Sequence, residues 1–144
     1  ALLENGEAAV IDLTRSPRYR AGHIPGAWFA VRARLGAVLA RLPAGVRPVL
    51  TCGDGTLTRY AVADFVDKGW PAPLLLAGGT KAWADAGLPL STDLERLGPD
   101  PDDIYKRPYE GTDNSAAAMQ GYIDWELELV AQLKRDGAHR FRVI

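Results

Sequence analysis

Cysteine is almost absent from this chain: Cys52 is the only one among 144 residues. A single cysteine cannot form an internal disulfide, so the fold does not depend on an oxidising compartment. The thiol is equally compatible with a reducing cytoplasm, which is the location we expect for the protein.

The sequence also lacks an excess of charge and long apolar runs. Seventeen Lys and Arg residues against eighteen Asp and Glu give a net charge of −1, which disfavours nucleic acid or a membrane surface as partner. No apolar stretch approaches the roughly 20 residues that cross a bilayer, and the first residues do not resemble a signal peptide. Because no initiator Met is present, we interpret the sequence as a processed chain or a fragment of a longer protein.

Hydrophobic residues make up 47% of the chain, enough for one globular domain with its own core. Short apolar runs predict buried strands of a parallel sheet over 8–13, 47–52 and 71–79, with a weaker strand at 26–30. Helical patterns lie between them, over 32–42, 57–69 and 80–89. The alternation predicts an α/β fold whose mostly parallel sheet carries helices on both faces.

The last third of the chain has a different composition. Residues 91–114 are rich in Pro, Gly and Asp and predict an irregular loop. A long amphipathic helix is expected over about 115–136, capped from 113–115, and the final residues read as a short extended tail. We therefore divide the chain into a domain over 1–92 and a C-terminal extension over 93–144 that packs on the domain or on a neighbour.

The single cysteine stands where an apolar strand enters a glycine-rich loop that opens into a helix. Gly53 and Gly55 follow it, and such a loop brings backbone N–H groups around one point that suits an anion. A thiolate or an anionic group delivered to its sulfur would be stabilised there. The structural alternative is that Cys52 is a small buried hydrophobic residue at the end of a strand.

Three segments in order resemble the rhodanese-type sulfurtransferase domains. Residues 10–29 resemble the first signature of that family, and residues 74–90 resemble its closing signature. Cys52 lies between them, where the family's sulfur-carrying cysteine sits. The residues that carry the resemblance are Asp12, Tyr19 and Gly22–Ala27 in the first signature, and Gly78, Gly79, Trp83 and Gly87–Pro89 in the second. The resemblance covers about residues 1–92 and implies a three-layer rhodanese-like fold.

The resemblance implies sulfur transfer without a metal or an organic cofactor. The Cys52 thiolate would take a sulfur atom from thiosulfate or 3-mercaptopyruvate, hold it as a persulfide, and pass it to cyanide or a thiol. Neighbouring rhodanese domains or a second copy of the chain are possible protein partners. The persulfide would be held by the loop that follows the cysteine, consisting of Gly53, Asp54, Gly55, Thr56, Leu57 and Thr58.

Two other cysteine chemistries fit the spacing poorly. Related phosphatases carry an arginine six residues after the cysteine, whereas here Thr58 takes that place and Arg59 follows it. One helical step rotates a side chain by about 100°, so Arg59 should point away from the loop. A papain-like mechanism pairs a cysteine with a histidine. The two histidines of this chain are His23, which belongs to the family's turn motif, and His139, which lies in the tail.

The chain departs from the family pattern at two places. Thr14 and Arg18 stand where family members usually carry an Arg and a Glu, which we interpret as a paired loss that is neutral for catalysis. In the loop, Gly53 and Asp54 replace the cation that thiosulfate-preferring members commonly place after the cysteine, and Cys-Gly-x-Gly is closer to the mercaptopyruvate branch. Asp54 either repels a dianionic donor or caps the helix through the N–H of Thr56 or Leu57.

Several neighbouring residues have both a functional and a structural interpretation. Arg15, Arg59 and Lys81 are candidate cations at the rim of the site, or simply solvated charges. The tryptophans of the two signatures, Trp28 and Trp83, are expected to pack in the core. The alternative for the whole chain is a module that keeps the fold for binding, regulation or sulfur carriage without turnover. The intact cysteine disfavours that alternative, and the cation-poor loop favours it.

Overall fold

The computed structural model describes residues 2–104 and 116–137. The chain divides into two units, residues 1–104 and 105–144. The division falls twelve residues beyond the boundary that the sequence suggested. The physical reason is that the segment after residue 92 hydrogen-bonds to the first unit, for example through the Arg96 carbonyl, which accepts from the Phe29 N–H at 2.9 Å.

The first unit is built on a four-stranded parallel sheet in the order β2-β1-β3-β4. The strands are β1 Ala8–Asp12, β2 Trp28–Phe29, β3 Arg47–Thr51 and β4 Leu74–Leu75. Asp12 at the end of β1 pairs with Phe29 on one side and with Thr51 on the other. The adjacent strands β2, β1 and β3 therefore end level, and the loops that leave them meet at the same end of the sheet.

Five α-helices and one 3-10 turn occur in the described residues. The helices are α1 Ser16–Ala21, α2 Leu35–Leu39, α3 Thr56–Asp67, α4 Gly79–Asp85 and α5 Ala116–Asp136, and the 3-10 turn Arg32–Arg34 precedes α2. The α1 helix was not predicted, and the helix expected over 32–42 is shorter than its apolar pattern. Gly36 lies inside it and disfavours a longer helix.

The core consists of two clusters on opposite faces of the sheet. Alternate residues of β1 face opposite sides, so Ile11 packs with α2 and α3 whereas Val10 packs with α1 and α4. Trp28 packs against the first cluster and Trp83 against the second, as the sequence predicted for both. The predicted three-layer α/β architecture is therefore confirmed.

Residues 91–104 form a strap across the edge of the sheet at β2. The strap begins with a two-residue bridge in which Ser91 and His23 exchange backbone hydrogen bonds of 2.8 and 2.9 Å. It continues along β2, where the Gly98 N–H donates to the Phe29 carbonyl at 3.0 Å. The segment is irregular, as its composition predicted, yet its backbone is anchored along much of its length.

The described part of the second unit is the helix α5. It confirms the long helix expected from the apolar pattern, and the apolar side chains of Met119, Ile123 and Val130 are exposed on it. The cap residues predicted at 113–115 and the extended tail lie outside the described residues. Among the helices that the structure describes, none is long and apolar enough to cross a membrane.

Candidate active site

The cysteine lies directly after β3, with 2% of its surface exposed. Two backbone hydrogen bonds tie its loop to the start of α4. The Thr80 N–H donates to the Cys52 carbonyl and the Lys81 N–H donates to the Gly53 carbonyl, both at 2.9 Å. The first turn of α4 therefore fixes the backbone on which the thiol stands.

Two adjacent glycines lie at the start of α4, and Gly79 allows its close contact with the loop. A Cβ on Gly79 would stand 2.0 Å from the Cys52 carbonyl oxygen and 2.5 Å from the Gly55 nitrogen, and the residue has a φ of +65°. A Cβ on Gly78 would stand 2.7 Å from the Cβ of Ala82. The role predicted for both glycines was to let the backbone approach the cysteine loop; the contacts of Gly79 agree with it, whereas a side chain on Gly78 would meet α4 itself.

A buried carboxylate joins the ends of β1, β3 and α4 beneath the loop. Asp12 Oδ1 accepts the Thr14 N–H at 2.8 Å, and Oδ2 accepts the Thr80 hydroxyl at 3.3 Å. The Thr80 hydroxyl also lies 3.1 Å from that of Thr51. The structural role predicted for Asp12 in its turn agrees with these bonds.

Asp54 closes the turn between the cysteine and α3. Its Oδ1 accepts the Thr56 N–H at 2.9 Å, which is one of the two capping contacts that the sequence predicted. This hydrogen bond holds the pKa of Asp54 below its ordinary value, so the side chain is an anion at neutral pH. The same oxygen lies 3.8 Å from Cys52 Sγ, so a negative charge stands beside the thiol.

The loop leaves backbone donors available next to the cysteine. The N–H groups of Gly53, Gly55 and Leu57 have no acceptor within the described residues. The hydroxyl of Thr58 is buried and donates to the Gly55 carbonyl at 2.6 Å. The threonine therefore holds the loop in shape, and the free N–H groups are the donors that an anion could use.

Two neighbouring pockets open at this loop. A pocket of about 280 Å³ contains the cysteine, and its lining consists of Thr14, Arg15, Arg18, Cys52, Gly53, Asp54 and Leu57. A second pocket of about 270 Å³ shares Thr14, Arg18 and Gly53 with the first and includes Lys81. The buried Oγ1 of Thr14 has no hydrogen-bond partner within the described residues.

The three cations predicted from the sequence have different positions. Arg15 lines the pocket that contains the cysteine. Lys81 lines the second pocket, and its Nζ lies 2.5 Å from the carboxylate of Asp85. Arg59 is exposed on α3 and lines neither pocket, in agreement with the rotation expected for an arginine one step beyond the phosphatase position.

Sequence reasoning did not assign a cation that lies against the loop, Arg18. Its Cζ and Nη1 stand 3.0 Å from the position that a Cβ on Gly53 would take, and it lines both pockets. None of the carboxylates in residues 2–104 and 116–137 lies within ion-pair distance of it. The replacement of the family's Glu at this position was the available signal, and it was interpreted as neutral.

The arrangement places a thiol beside groups that suit a small anion. The thiol lines a pocket together with Arg15 and Arg18, and free backbone donors follow it in the loop. In the part of the chain that the structure describes, no three His, Cys, Asp or Glu side chains are grouped to hold a metal ion. The fold and site define a parallel α/β protein with a cysteine-centred pocket.

The chain belongs to the rhodanese-like family. The family model described as the rhodanese-like domain matches residues 1–86. The resemblance stated from the three signature segments is therefore confirmed.

Relatives of known name agree with the predicted enzyme class. The chain is 30% identical over 83 residues to the thiosulfate sulfurtransferase GlpE of Pseudomonas fluorescens (strain SBW25), covering 58% of this chain and 75% of that protein. A crystal structure of a thiosulfate sulfurtransferase from Pseudomonas aeruginosa matches with 49% identity and a TM-score of 0.82. That match covers 99% of this chain and 27% of the other, so the chain spans about a quarter of that protein's length.

A more distant structure shares the fold alone. The rhodanese-related protein of Thermoplasma volcanium matches with 20% identity and a TM-score of 0.54, covering 64% of this chain and 92% of that one. This match supports the fold of the chain.

Proposed function

We propose that this protein is a sulfurtransferase that carries a sulfur atom as a persulfide on Cys52. The observation that carries the proposal is the pocket at this thiol. It combines a buried cysteine with free backbone N–H groups and with two arginines, Arg15 and Arg18, among its lining residues. The names of the GlpE relative and of the Pseudomonas aeruginosa structure support the same class of reaction.

In the first half of the reaction the thiolate attacks the outer sulfur of the donor. With thiosulfate, a new S–S bond forms to Cys52, and the old S–S bond breaks with its electron pair leaving on sulfite. With 3-mercaptopyruvate, the C–S bond breaks instead, and the carbon takes up a proton to give pyruvate. The product in both cases is the Cys52 persulfide, whose negative charge the N–H groups of Gly53, Gly55 and Leu57 are suited to stabilise.

In the second half the acceptor attacks the outer sulfur of the persulfide. The S–S bond breaks, and its electron pair returns to Cys52 as the thiolate. Cyanide leaves as thiocyanate, whereas a thiol leaves as a persulfide. No electrons are lost or gained overall, so the cycle requires only that the thiol stays reduced, in keeping with the cytoplasmic location expected from the sequence.

The positive and negative residues around the pocket have opposite effects on an anionic donor. Arg15 and Arg18 attract a dianion such as thiosulfate more strongly than a monoanion, whereas the carboxylate of Asp54 repels it more strongly. The two arginines outnumber the one acid at the pocket wall. We therefore propose thiosulfate as a donor, with 3-mercaptopyruvate as the donor that Asp54 disfavours less.

The second candidate is a module that binds or carries sulfur without turnover. The observation in its favour is the contact between Asp54 Oδ1 and Cys52 Sγ at 3.8 Å, because a fixed negative charge beside the sulfur repels an incoming anionic donor. Phosphatase chemistry has no such support, since Arg59 lines neither pocket.

The intact mass of the protein after exposure to each donor tests the proposal. We expect a gain of one sulfur atom with thiosulfate, reversal by cyanide with release of thiocyanate, and no gain in Cys52→Ala. Multiple turnovers with cyanide would exclude the non-turnover module. A folded protein that gains no sulfur from either donor would contradict the proposal, and loading without turnover would favour sulfur carriage.

A further inference from the structure

The short helix α1 carries the arginine that lies against the cysteine loop. It spans six residues, Ser16–Ala21, and its N-cap residue Arg15 makes no side-chain capping hydrogen bond. A helix of this length is not stable by itself in water. Its position, and therefore that of Arg18, depends on contacts with the rest of the fold.

The strap over residues 91–104 holds both ends of α1. At the N-terminal end, Asp103 Oδ2 accepts the N–H of Ser16, the first residue of the helix, at 3.0 Å. Beyond the C-terminal end, Ser91 exchanges two backbone hydrogen bonds with His23. Between the ends, the buried Tyr19 donates its hydroxyl to the Ala27 carbonyl at 2.7 Å. The contact of Tyr19 fixes one point on the helix, whereas the contacts of the strap at the two ends fix the direction of the helix axis.

We propose that Asp103 is a positioning residue that sets Arg18 against the cysteine loop for binding of the anionic donor. The inference rests on the proposed function for the identity of the donor. Asp103 lies beyond residues 1–86, which match the family model, and it lines neither pocket at the site. It acts by supplying the acceptor that the first turn of α1 lacks in its own sequence.

A positioning role and a direct electrostatic role of Asp103 predict opposite changes in how strongly the site attracts an anion. Asp103 carries a negative charge, so its removal alone would make the site more attractive to an anion. Positioning predicts the opposite, because without the Ser16 hydrogen bond α1 shifts and Arg18 leaves the loop. Asp103→Asn keeps an oxygen acceptor for the Ser16 N–H, removes the charge and puts an amide group in place of Oδ1, which has no hydrogen-bond partner within the described residues, so it should keep Arg18 in place.

The test compares alkylation of Cys52 by iodoacetate, an anion, with alkylation by neutral iodoacetamide. Cys52 is the only cysteine, so the mass gain reports this thiol alone, and the ratio of the two rates cancels changes in thiolate fraction. We expect Asp103→Ala and Arg18→Ala each to lower the ratio by about three- to tenfold. The double variant should be no lower than Arg18→Ala. Asp103→Asn should keep the wild-type ratio or raise it slightly.

A matched control breaks a different contact of the strap. Asp102 forms an ion pair with Arg34 and lies next to Asp103, so Asp102→Ala loosens the strap without touching α1. We expect its alkylation ratio to equal that of the wild type. An unchanged ratio in folded Asp103→Ala would overturn the proposal, and so would independent, multiplicative losses in the double variant with Arg18→Ala.

A second variant removes the donor of the same hydrogen bond in case Asp103→Ala does not fold. Arg15 has φ −61° and ψ 144°, the conformation required before a proline, and proline is favourable at the first position of a helix. Ser16→Pro therefore removes the N–H, and the backbone conformation of Arg15 suits a proline after it. We expect a lowered alkylation ratio, and a wild-type ratio in the folded variant would contradict the proposal.

Steady-state kinetics with thiosulfate give a second readout. Asp103→Ala should raise KM several-fold and change kcat by less than about twofold, because only binding of the anion is affected. The alkylation ratio needs neither donor nor turnover. If Cys52 accepts no sulfur but the ratio follows the pattern above, the proposed function fails while the positioning role of Asp103 stands.

Discussion

The guanidinium group of Arg18 lies against the α-carbon of Gly53, the residue that follows the cysteine. Its Cζ stands 3.0 Å from the position of a Cβ on that glycine, so a side chain there would require the guanidinium group to shift. The positive charge at this end of the pocket therefore comes from α1 and not from the loop itself. With Gly53 after the cysteine, the loop has no cation at this position, and the glycine leaves space for the guanidinium group of Arg18, which belongs to α1.

The first prediction concerns Arg18 as the residue that binds the donor. Arg18→Ala should raise KM for thiosulfate roughly tenfold, because a charge-assisted contact with the anion is lost, and kcat should stay within about twofold. Arg20 is the matched control, an exposed arginine on the same helix that lines neither pocket. Equal values of KM in Arg18→Ala and Arg20→Ala would contradict the assignment.

The second prediction concerns Gly53, where an added side chain should displace Arg18. Gly53 has no positive φ, and the atoms that a Cβ would meet belong to the end of the flexible Arg18 side chain. Gly53→Ala should therefore change the free energy of unfolding by less than about 1 kcal/mol while raising KM for thiosulfate. In an Arg18→Ala background the substitution should have no further effect on KM, and an additive increase would show that Gly53 acts by another route.

The strands and the cysteine loop could be predicted because their signals are local. Short apolar runs mark β1 and β3, and Gly53 and Gly55 mark the turn after the cysteine. The close approach of Gly79 to the loop was also expected, since it follows from the paired glycines of the closing signature. Each of these features depends on residues that stand close together in the sequence.

The position of Arg18 could not be predicted because it depends on distant residues. The six-residue helix α1 has no capping side chain of its own, and the acceptor for Ser16 comes from Asp103, 87 residues further along the chain. The strap that carries Asp103 has the composition of a loop, and its hydrogen bonds to β2 leave no periodic pattern in the sequence. Sequence reasoning therefore recognised the loop residues but not the helix that faces them.

The third prediction concerns the acid beside the thiol. Asp54→Asn keeps an oxygen that can accept the Thr56 N–H and removes only the negative charge. We expect kcat/KM to rise about three- to tenfold for the thiosulfate dianion and by less for the singly charged carboxylate of 3-mercaptopyruvate, since repulsion scales with donor charge. Equal gains for the two donors would show that the effect of Asp54 does not depend on donor charge, and no gain for either would show that Asp54 acts only as a cap.

The pH dependence of this gain follows from the direction of the pKa shift. The Thr56 N–H lowers the pKa of Asp54, so the folded protein keeps the carboxylate ionised to lower pH than an ordinary aspartate. The advantage of Asp54→Asn over the wild type should therefore stay constant from about pH 8 to about pH 5.5. A gain that disappears within this range would mean that Asp54 takes up a proton there. The stability that its hydrogen bond contributes should be lost only at lower pH, as the pH falls through the lowered pKa.

The fourth prediction concerns the glycine that supports the loop from α4. Gly79 and Gly87 both have positive φ, of +65° and +73°, but a Cβ on Gly87 would meet nothing within 4 Å. Gly87→Ala should therefore cost about 1–2 kcal/mol for the left-handed backbone alone. Gly79→Ala should cost at least about 2 kcal/mol more, because its Cβ would overlap the Cys52 carbonyl and close packing leaves no room to move it.

Urea unfolding followed by tryptophan fluorescence measures both costs, and the intact-mass assay with thiosulfate measures loading of Cys52. We expect Gly87→Ala to load sulfur normally once it is folded. Gly79→Ala should load poorly even under conditions where it is folded, because the hydrogen bond from the Thr80 N–H to the Cys52 carbonyl cannot survive the added Cβ. If the two variants lose the same stability, the close approach of α4 does not set the shape of the loop, and the support of the thiol has to come from the buried carboxylate of Asp12.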